Sequence, residues 1–299
     1  MSKDKLRLAI LSRQKSGGSA KLIREAFATA GHEVDVLDPL NLSLSLGVGA
    51  LLMHNNGEPI PEYDAVIARI GHTITAHGIA VLRHFELLGL PTFPTPLALQ
   101  RSRHKFDALQ HLSTAGVPVP PTTYVHRVED LDGAIQRLGG APLIVKVLEG
   151  TGGQGVILAE NDRTANAMAA ALVQAGRPVL LQRFIAESSG CDTRVFVVGN
   201  RVVGAARREA KTGEYRSNVH LGATATATTV SEDMAEVAVR AVGCLGLEIA
   251  GVDILSSAEG PMVLEVNSSP GIQGFAETTG VDVGSLIVEH VEARVRGTQ

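Results

Sequence analysis

The sequence predicts a mixed α/β fold built from several compact parts, and three observations predict it. Its 299 residues are enough for two or three domains. Near the amino end, short β-rich runs alternate with stretches of helical apolar spacing, the pattern of a parallel sheet with helices on its faces. Further along, β-rich runs follow one another across Gly-containing turns, the pattern of antiparallel hairpins. Apolar residues make up 44% of the chain against 3% aromatic and no Trp, so the cores must rest on Ala, Val, Leu and Ile.

In order, residues 6–11 form an apolar run ending in a polar, Gly-containing loop over 12–19. Helical spacing follows over 20–30 and stops at Gly31, and residues 33–37 alternate as a second strand, closing a strand-helix-strand unit. A strand over 65–70 and a helix over 76–88 complete the first part, with Pro91, Pro94 and Pro96 at its boundary. The second part runs through an amphipathic helix over 102–115 that carries Lys105, an extended Pro-rich segment and a helix near 131–138. A strand over 143–147, a Gly-rich loop over 149–155, a strand over 156–159, a helix over 163–175 and a strand over 179–183 follow. The third part opens on two β-rich runs, 192–198 and 201–208, split by Gly199-Asn200. A basic segment over 207–216 then leads to a helix over 232–245, a second hairpin within 250–271 and a final helix over 283–295. Domains are therefore expected at 1–96, 97–185 and 186–299.

A net charge of −4 offers no broad basic footprint for nucleic acid. Cys191 and Cys244 lie far apart and outside any C-x-x-C pattern, so buried thiols are expected rather than a disulfide framework or a zinc site. The apolar run behind Lys3, Lys5 and Arg7 is too short for a signal-peptide core, and no uninterrupted apolar segment approaches the roughly 18 residues that cross a bilayer. A soluble cytoplasmic protein, with no membrane or direct nucleic-acid contact, is the expectation.

The candidate chemistry centres on the hairpin within 250–271, which carries Asp253, Glu265 and Asn267. Two carboxylates and an amide, with no Cys or His nearby, suit Mg²⁺ better than Zn²⁺. The alternative is a plain hairpin with two solvent-facing carboxylates, in which Asn267-Ser268-Ser269-Pro270-Gly271 is only a turn. Upstream, Gly150-Thr151-Gly152-Gly153-Gln154-Gly155 contains a literal G-x-G-x-x-G. A strand rather than a helix follows it, however, and no Gly-Lys-Ser/Thr closes it as a P-loop. What remains is strand, glycine loop, strand: a flap whose backbone N–H groups can cover phosphates. Lys146, in the strand entering that flap, either snorkels to solvent or meets an anion, and the flap favours the anion. Arg208, Lys211, Arg216 and Asn218 form a second cationic group. It is either a solvated loop or a set of side chains aimed at phosphate or carboxylate oxygens by the hairpin before it. The histidines at 72, 77, 84, 104, 111 and 220 show no metal-binding spacing, and no G-x-S-x-G elbow supports a serine hydrolase.

A lysine before a glycine flap, Gly190-Cys191-Asp192-Thr193-Arg194, Arg216-Ser217-Asn218, the run AGVDIL over 250–255, and Glu265-Val266-Asn267-Ser268-Ser269-Pro270-Gly271 occur in that order. The chain resembles the ATP-grasp superfamily of carboxylate-amine ligases nearly end to end. The resemblance implies three α/β parts, with an amino-terminal parallel-sheet domain and ATP held between the two ATP-grasp subdomains that follow. It implies Lys146 and Lys105 on phosphates under the flap glycines Gly152, Gly153 and Gly155. Gln182, Arg183, Phe184 and Ile185 would form a hinge against adenine, and Asp192 would hold the ribose. Arg208, Arg216 and Asn218, with Ser217, would handle the γ-phosphate and an acyl phosphate. Asp253, Glu265 and Asn267 would bind Mg²⁺ or Mn²⁺, as two ions. The implied activity joins glutamate to the carboxyl terminus of a small-subunit ribosomal protein, in a tetrameric homo-oligomer. A glutamate ligase for a small molecule or carrier protein, and a silent ATP-binding regulatory protein, stay open as alternatives. Two departures bear on the reading: Arg183 stands where the family's hinge carries Glu, and Leu221 stands where a basic residue is expected near the acceptor.

Overall fold

The computed structural model describes residues 5–14, 17–148, 155–188, 190–211, 214–217 and 222–297. The flap glycines Gly152 and Gly153, with Asn218 and Leu221, lie outside the described residues. The chain opens with β1 (Arg7–Leu11), α1 (Gly18–Thr29) and β2 (Glu33–Leu37), then a meander of β3 (Leu42–Gly47), β4 (Ala50–Asn55) and β5 (Glu58–Pro59). Strand β6 (Ala65–Ala68), helix α2 (Thr75–Leu87) and β7 (Thr92–Phe93) follow. A parallel sheet ordered β2-β1-β6-β7 results. Successive residues of β1 serve opposite faces: Leu8 and Ile10 pack with α1, Ala9 and Leu11 with α2. Burial on both faces explains why β1 and β6 read as continuous apolar runs.

Next come α3 (Pro96–Arg103), α4 (Lys105–Thr114), β8 (Thr122–Val125), α5 (Leu131–Arg137), β9 (Leu143–Val147), β10 (Val156–Ala159), α6 (Asp162–Gln174) and β11 (Val179–Arg183). The four strands form an antiparallel sheet ordered β10-β9-β11-β8. One face is covered by α5 and α6 through Leu143, Val145, Val179 and Leu181.

The last third supplies β12 (Cys191–Val198), β13 (Arg201–Glu209), β14 (Thr224–Thr228), α7 (Glu232–Cys244), β15 (Ile249–Ser257), β16 (Gly260–Asn267), α8 (Ile272–Thr279) and α9 (Val283–Gly297). Its strands make a five-stranded antiparallel sheet, β14-β13-β12-β15-β16. Val195, Val197, Val252 and Val266 pack on one face against α7, while Phe196 and Val198 on the other meet α8, α9 and the first sheet.

The structure corrects several sequence expectations. The helix expected over 102–115 is two helices, because His104 is extended at φ −95 and ψ 104 and its side chain caps α4 by accepting from the Asp107 N–H. The first of them starts at Pro96, which sits just inside the helix after the Thr95 cap rather than in a linker. Ala98, Ala108, Leu109 and Leu112 of α3 and α4 pack into the core beneath the third sheet. The carboxyl-terminal helices α8 and α9 pack against α1 of the first part and against the third sheet, with Ile272, Phe275, Ile287 and Val291 in the core they share. Cys191 and Cys244 are free thiols, each half-buried rather than buried. Among the described residues no helix is long and apolar enough to cross a membrane.

Candidate active site

Strand alternation places Lys146. In β9, Leu143 and Val145 face the α5–α6 core, so Ile144 and Lys146 point to the opposite face. On β11, Leu180 pairs with Lys146, and Gln182, two residues on, lies diagonal to it on the same face. The Lys146 ammonium donates to Gln182 Oε1 at 2.5 Å, and Gln182 Nε2 donates to Thr122 Oγ1 at 2.8 Å. Burial pushes the Lys146 amine down to about 8, against the pull of Glu265. Lys105 donates to the Leu148 carbonyl at 3.2 Å and so holds the base of the flap. Gly155, at the flap's far end, has φ +69, and a Cβ there would meet Val147 Cγ2 at 2.4 Å, so only glycine lets the hairpin close.

The third sheet sets its polar groups in a row across one face. Register pairs Arg208 with Asp192, Arg194 with Asp253, Asp253 with Glu265, and Gly251 with Asn267. The register shifts between Asp253 and Ile254, a local irregularity at the carboxylate itself. Arg194 holds Asp253 in a bidentate pair at 2.7 Å on each oxygen. Arg208, buried, reaches Asp192 at 2.6 and 2.5 Å and Asp253 at 2.9 Å. Burial pushes Asp253 up, but Arg194 and Arg208 together hold it at about 2. Asp192 is raised by burial and by neighbouring Asp253, against Arg208 and a hydrogen bond from Ser217 Oγ.

The turn after β16 is fixed by the first sheet. Arg69, following β6, donates to the Pro270 carbonyl at 2.5 Å, and Ser19, following β1, accepts from the Ile272 N–H at 2.9 Å. Gly251 lets the turn lie against β15, since a Cβ there would stand 2.9 Å from the Pro270 Cβ. Arg103, the last residue of α3, donates to the Ile70 carbonyl at 2.5 Å. Burial lowers Arg69 to about 10, with Arg103 pushing the same way, and burial lowers Arg103 against the pull of Glu265.

The structure brings Lys105, Lys146 and Gln182 together on one side and Asp192, Arg208, Asp253, Glu265 and Asn267 on the other. Glu265 lies within electrostatic reach of Lys146, and that joins the two groups. Asp192, expected on a ribose, has its oxygens on Arg208 and Ser217. Arg183 is exposed and donates to the Leu138 carbonyl, and the Phe184 N–H donates to the Pro142 carbonyl. Arg216 folds back on Glu214 at 2.7 Å and over the Tyr215 ring. Sequence reasoning missed Arg194, which period two from Asp192 puts on the same face, and also Tyr215, Arg69 and Arg103. The Tyr215 hydroxyl donates to the Val156 carbonyl at 2.8 Å and accepts from the Leu158 N–H at 3.2 Å, so it caps the open edge of β10.

The donor set suits a hard cation: Asp253, Glu265 and Asn267 carry side-chain oxygens along one edge, and Glu265 is exposed. Both Asp253 oxygens are held by Arg194 and Arg208, so a cation there would share Asp253 with the guanidiniums or displace one of them. Beside them the Ser268 and Ser269 hydroxyls are buried without a hydrogen-bond partner among the described residues. In the amide orientation that satisfies both ends of Asn267, its oxygen accepts from Arg194 at 3.1 Å and its nitrogen donates to Glu265 at 2.8 Å.

Two antiparallel sheets that set a strand-borne lysine against a carboxylate and amide edge are the arrangement of an ATP-grasp ligase. The RimK-like ATP-grasp domain model matches residues 102–291, and the RimK PreATP-grasp domain model matches residues 6–99. A ribosomal protein bS6–L-glutamate ligase from Salmonella schwarzengrund is 44% identical over 287 residues, 96% of each chain. A RimK domain ATP-grasp protein from Sphaerobacter thermophilus is similar in structure, with a TM-score of 0.73, 26% identity and coverage of 95% of this chain and 98% of that one. The ATP-grasp ligase PsnB, solved with a precursor variant, Mg and ADP, has a TM-score of 0.75 at 24% identity, covering 98% and 99%, and shares the fold. The chain belongs to the RimK-like ATP-grasp family and is by class an ATP-dependent ligase.

Proposed function

We propose that this protein joins glutamate to the carboxyl terminus of ribosomal protein bS6, using ATP to activate the acceptor carboxylate. The observation that carries the reading is that Lys146, on the face of the second sheet opposite its helices, lies within electrostatic reach of Glu265 on the third sheet, which puts a phosphate-binding cation near an oxygen-rich edge. The 44% identity to a bS6–L-glutamate ligase supports the choice of substrates.

A carboxylate is a poor electrophile. Transfer of the γ-phosphoryl group to it gives an acyl phosphate; the amine of glutamate then attacks the carbonyl carbon, phosphate leaves, and an amide forms. Lys146 and Lys105 position the phosphates, and Arg208 and Arg194 offset negative charge along the carboxylate row. Asp253, Glu265 and Asn267 would hold Mg²⁺, which would supply charge neutralisation to the phosphates. Two ions, use of Mn²⁺, a tetrameric assembly, a cytoplasmic location and the division at 96 and 185 belong to the same reading. So do the roles of Gly152, Gly153, Gly155, Gln182, Arg183, Phe184, Asp192, Arg216, Ser217 and Asn218 around the nucleotide.

ADP release measured over a matrix of amino acids and acceptors tests the proposal. Release that requires both glutamate and bS6 is the expected result; release with a small-molecule carboxylate in place of bS6 would move the acceptor elsewhere, and no release with any pair would remove the ligase reading.

A further inference from the structure

Arg69 follows β6 at the carboxyl edge of the first sheet. The order β2-β1-β6-β7 changes direction between β1 and β6, which is where open α/β sheets leave a crevice for a ligand. Arg103 reaches the same place from the end of α3, bonding to the carbonyl of Ile70, the next residue in the chain after Arg69. Backbone carbonyls hold both guanidiniums: Pro270 for Arg69 and Ile70 for Arg103. Among the described residues no carboxylate forms an ion pair with either, and Arg103 Nε is buried without a hydrogen-bond partner. A carbonyl dipole is not a counter-charge, so two half-buried cations close enough to repel each other leave room for an anion between them and solvent. Glu265, which acts on Arg103 at longer range, belongs to the cation edge.

We propose that Arg69 and Arg103 form a carboxylate subsite that holds an acidic substrate beside the turn carrying Asn267, an inference that rests on the ligase function proposed above. A guanidinium fork matches a carboxylate in plane and in spacing, which an ammonium does not. The Pro270 carbonyl ties Arg69 to the turn three residues beyond Asn267, so a carboxylate on the pair lies next to the place where a phosphoryl group would be transferred. Free L-glutamate and the acceptor's terminal carboxyl group share this chemistry.

Equilibrium calorimetry on the full chain with Mg²⁺ and the non-hydrolysable analogue AMPPNP tests the subsite without turnover. The ligands are L-glutamate and a bS6 carboxyl-terminal peptide, prepared as the free acid and as the amide. Arg69→Lys, Arg103→Lys and Arg103→Gln are expected to weaken one acid on the order of 10- to 100-fold, with the AMPPNP Kd within about twofold of the parent. Loss of glutamate binding assigns the site to the amino acid; loss confined to the free-acid peptide assigns it to the acceptor. Variants that bind both acids like the parent, a parent that binds neither, or variants that lose AMPPNP to the same degree would overturn it. The lysine variants keep the charge and cover the case in which Arg103→Gln fails to fold. ADP release by the parent is scored separately. Variant-sensitive binding without turnover removes the ligase reading and keeps the subsite, and turnover with variant-insensitive binding does the reverse.

Discussion

Replacing Arg208 by Met removes a buried guanidinium that makes three charge-assisted contacts, two to Asp192 at 2.6 and 2.5 Å and one to Asp253 at 2.9 Å. Asp192 keeps only Ser217 Oγ, and Asp253 keeps Arg194. Two buried carboxylates then face each other with one cation between them and solvent. Breaking a buried ion pair from one side costs about 3–5 kcal/mol, because the remaining charge is still desolvated. The chain has no Trp, so far-UV circular dichroism is the signal for urea unfolding. Arg208→Met is expected to lower stability by about 3–5 kcal/mol, and Asp192→Asn in the same chain is expected to restore part of the loss by removing the like charge. Mg²⁺ should raise the unfolding midpoint of the variant more than that of the parent, since a cation on Asp253 would replace the missing guanidinium. A loss under about 1 kcal/mol, or equal Mg²⁺ stabilisation of both proteins, would refute the view that Arg208 neutralises this pair.

Lys146 makes a pH prediction whose sign follows from burial. Its pKa in the folded protein, about 8, lies below the ordinary 10.5, so between those values the unfolded chain binds more protons and this group makes stability rise with pH. ATP binding needs the charged amine, so affinity should fall above about pH 8 with uptake of a proton on binding, read by calorimetry in buffers of different ionisation enthalpy. Binding without proton uptake near that pH would contradict the assignment. Glu265→Ala removes an exposed carboxylate and should leave unfolding within about 0.5 kcal/mol of the parent while abolishing Mg²⁺-dependent ADP release; near-normal turnover would show that Glu265 is not a ligand. Tyr215→Phe deletes both hydrogen bonds to the β10 edge and is expected to raise the KM for ATP several-fold with little change in secondary structure, on the view that this phenol holds the strand bearing the flap. An unchanged KM would reduce Tyr215 to an edge cap.

Short apolar runs made much of this fold legible. Strands β9, β10 and β11 fall on their expected bounds because each is a mostly apolar run of four or five residues preceded by Pro or Gly, as at Pro142, Gly155 and Pro178. The meander was equally local, with LSLSL alternating and Asn56-Gly57 taking φ of 52 and 88 as a hairpin turn demands; Leu42 and Met53 enter the core beside α2, while Leu46 and Val48 at its far end are exposed and blur that apolar face in the sequence. His104 divides α3 from α4 by its backbone and its cap, neither of which apolar spacing can display. In the site, Arg194 was legible, two residues from Asp192 on a strand. Arg69 was not: its partner, Pro270, is 201 residues away and offers a backbone carbonyl, which has no sequence signature. The hairpin that carries Asp253 and Glu265 was visible as a hairpin, whereas the two arginines that neutralise Asp253 from β12 and β13 depend on sheet order.

The most direct test of the central claim is the intact mass of bS6 after incubation with this protein, ATP, Mg²⁺ and glutamate, beside the same reaction with Glu265→Ala. A gain of one or more glutamyl residues at the bS6 carboxyl terminus with the parent, and no gain with the variant, is the predicted result. An unchanged bS6 mass with the parent, or an equal gain with both proteins, would contradict it.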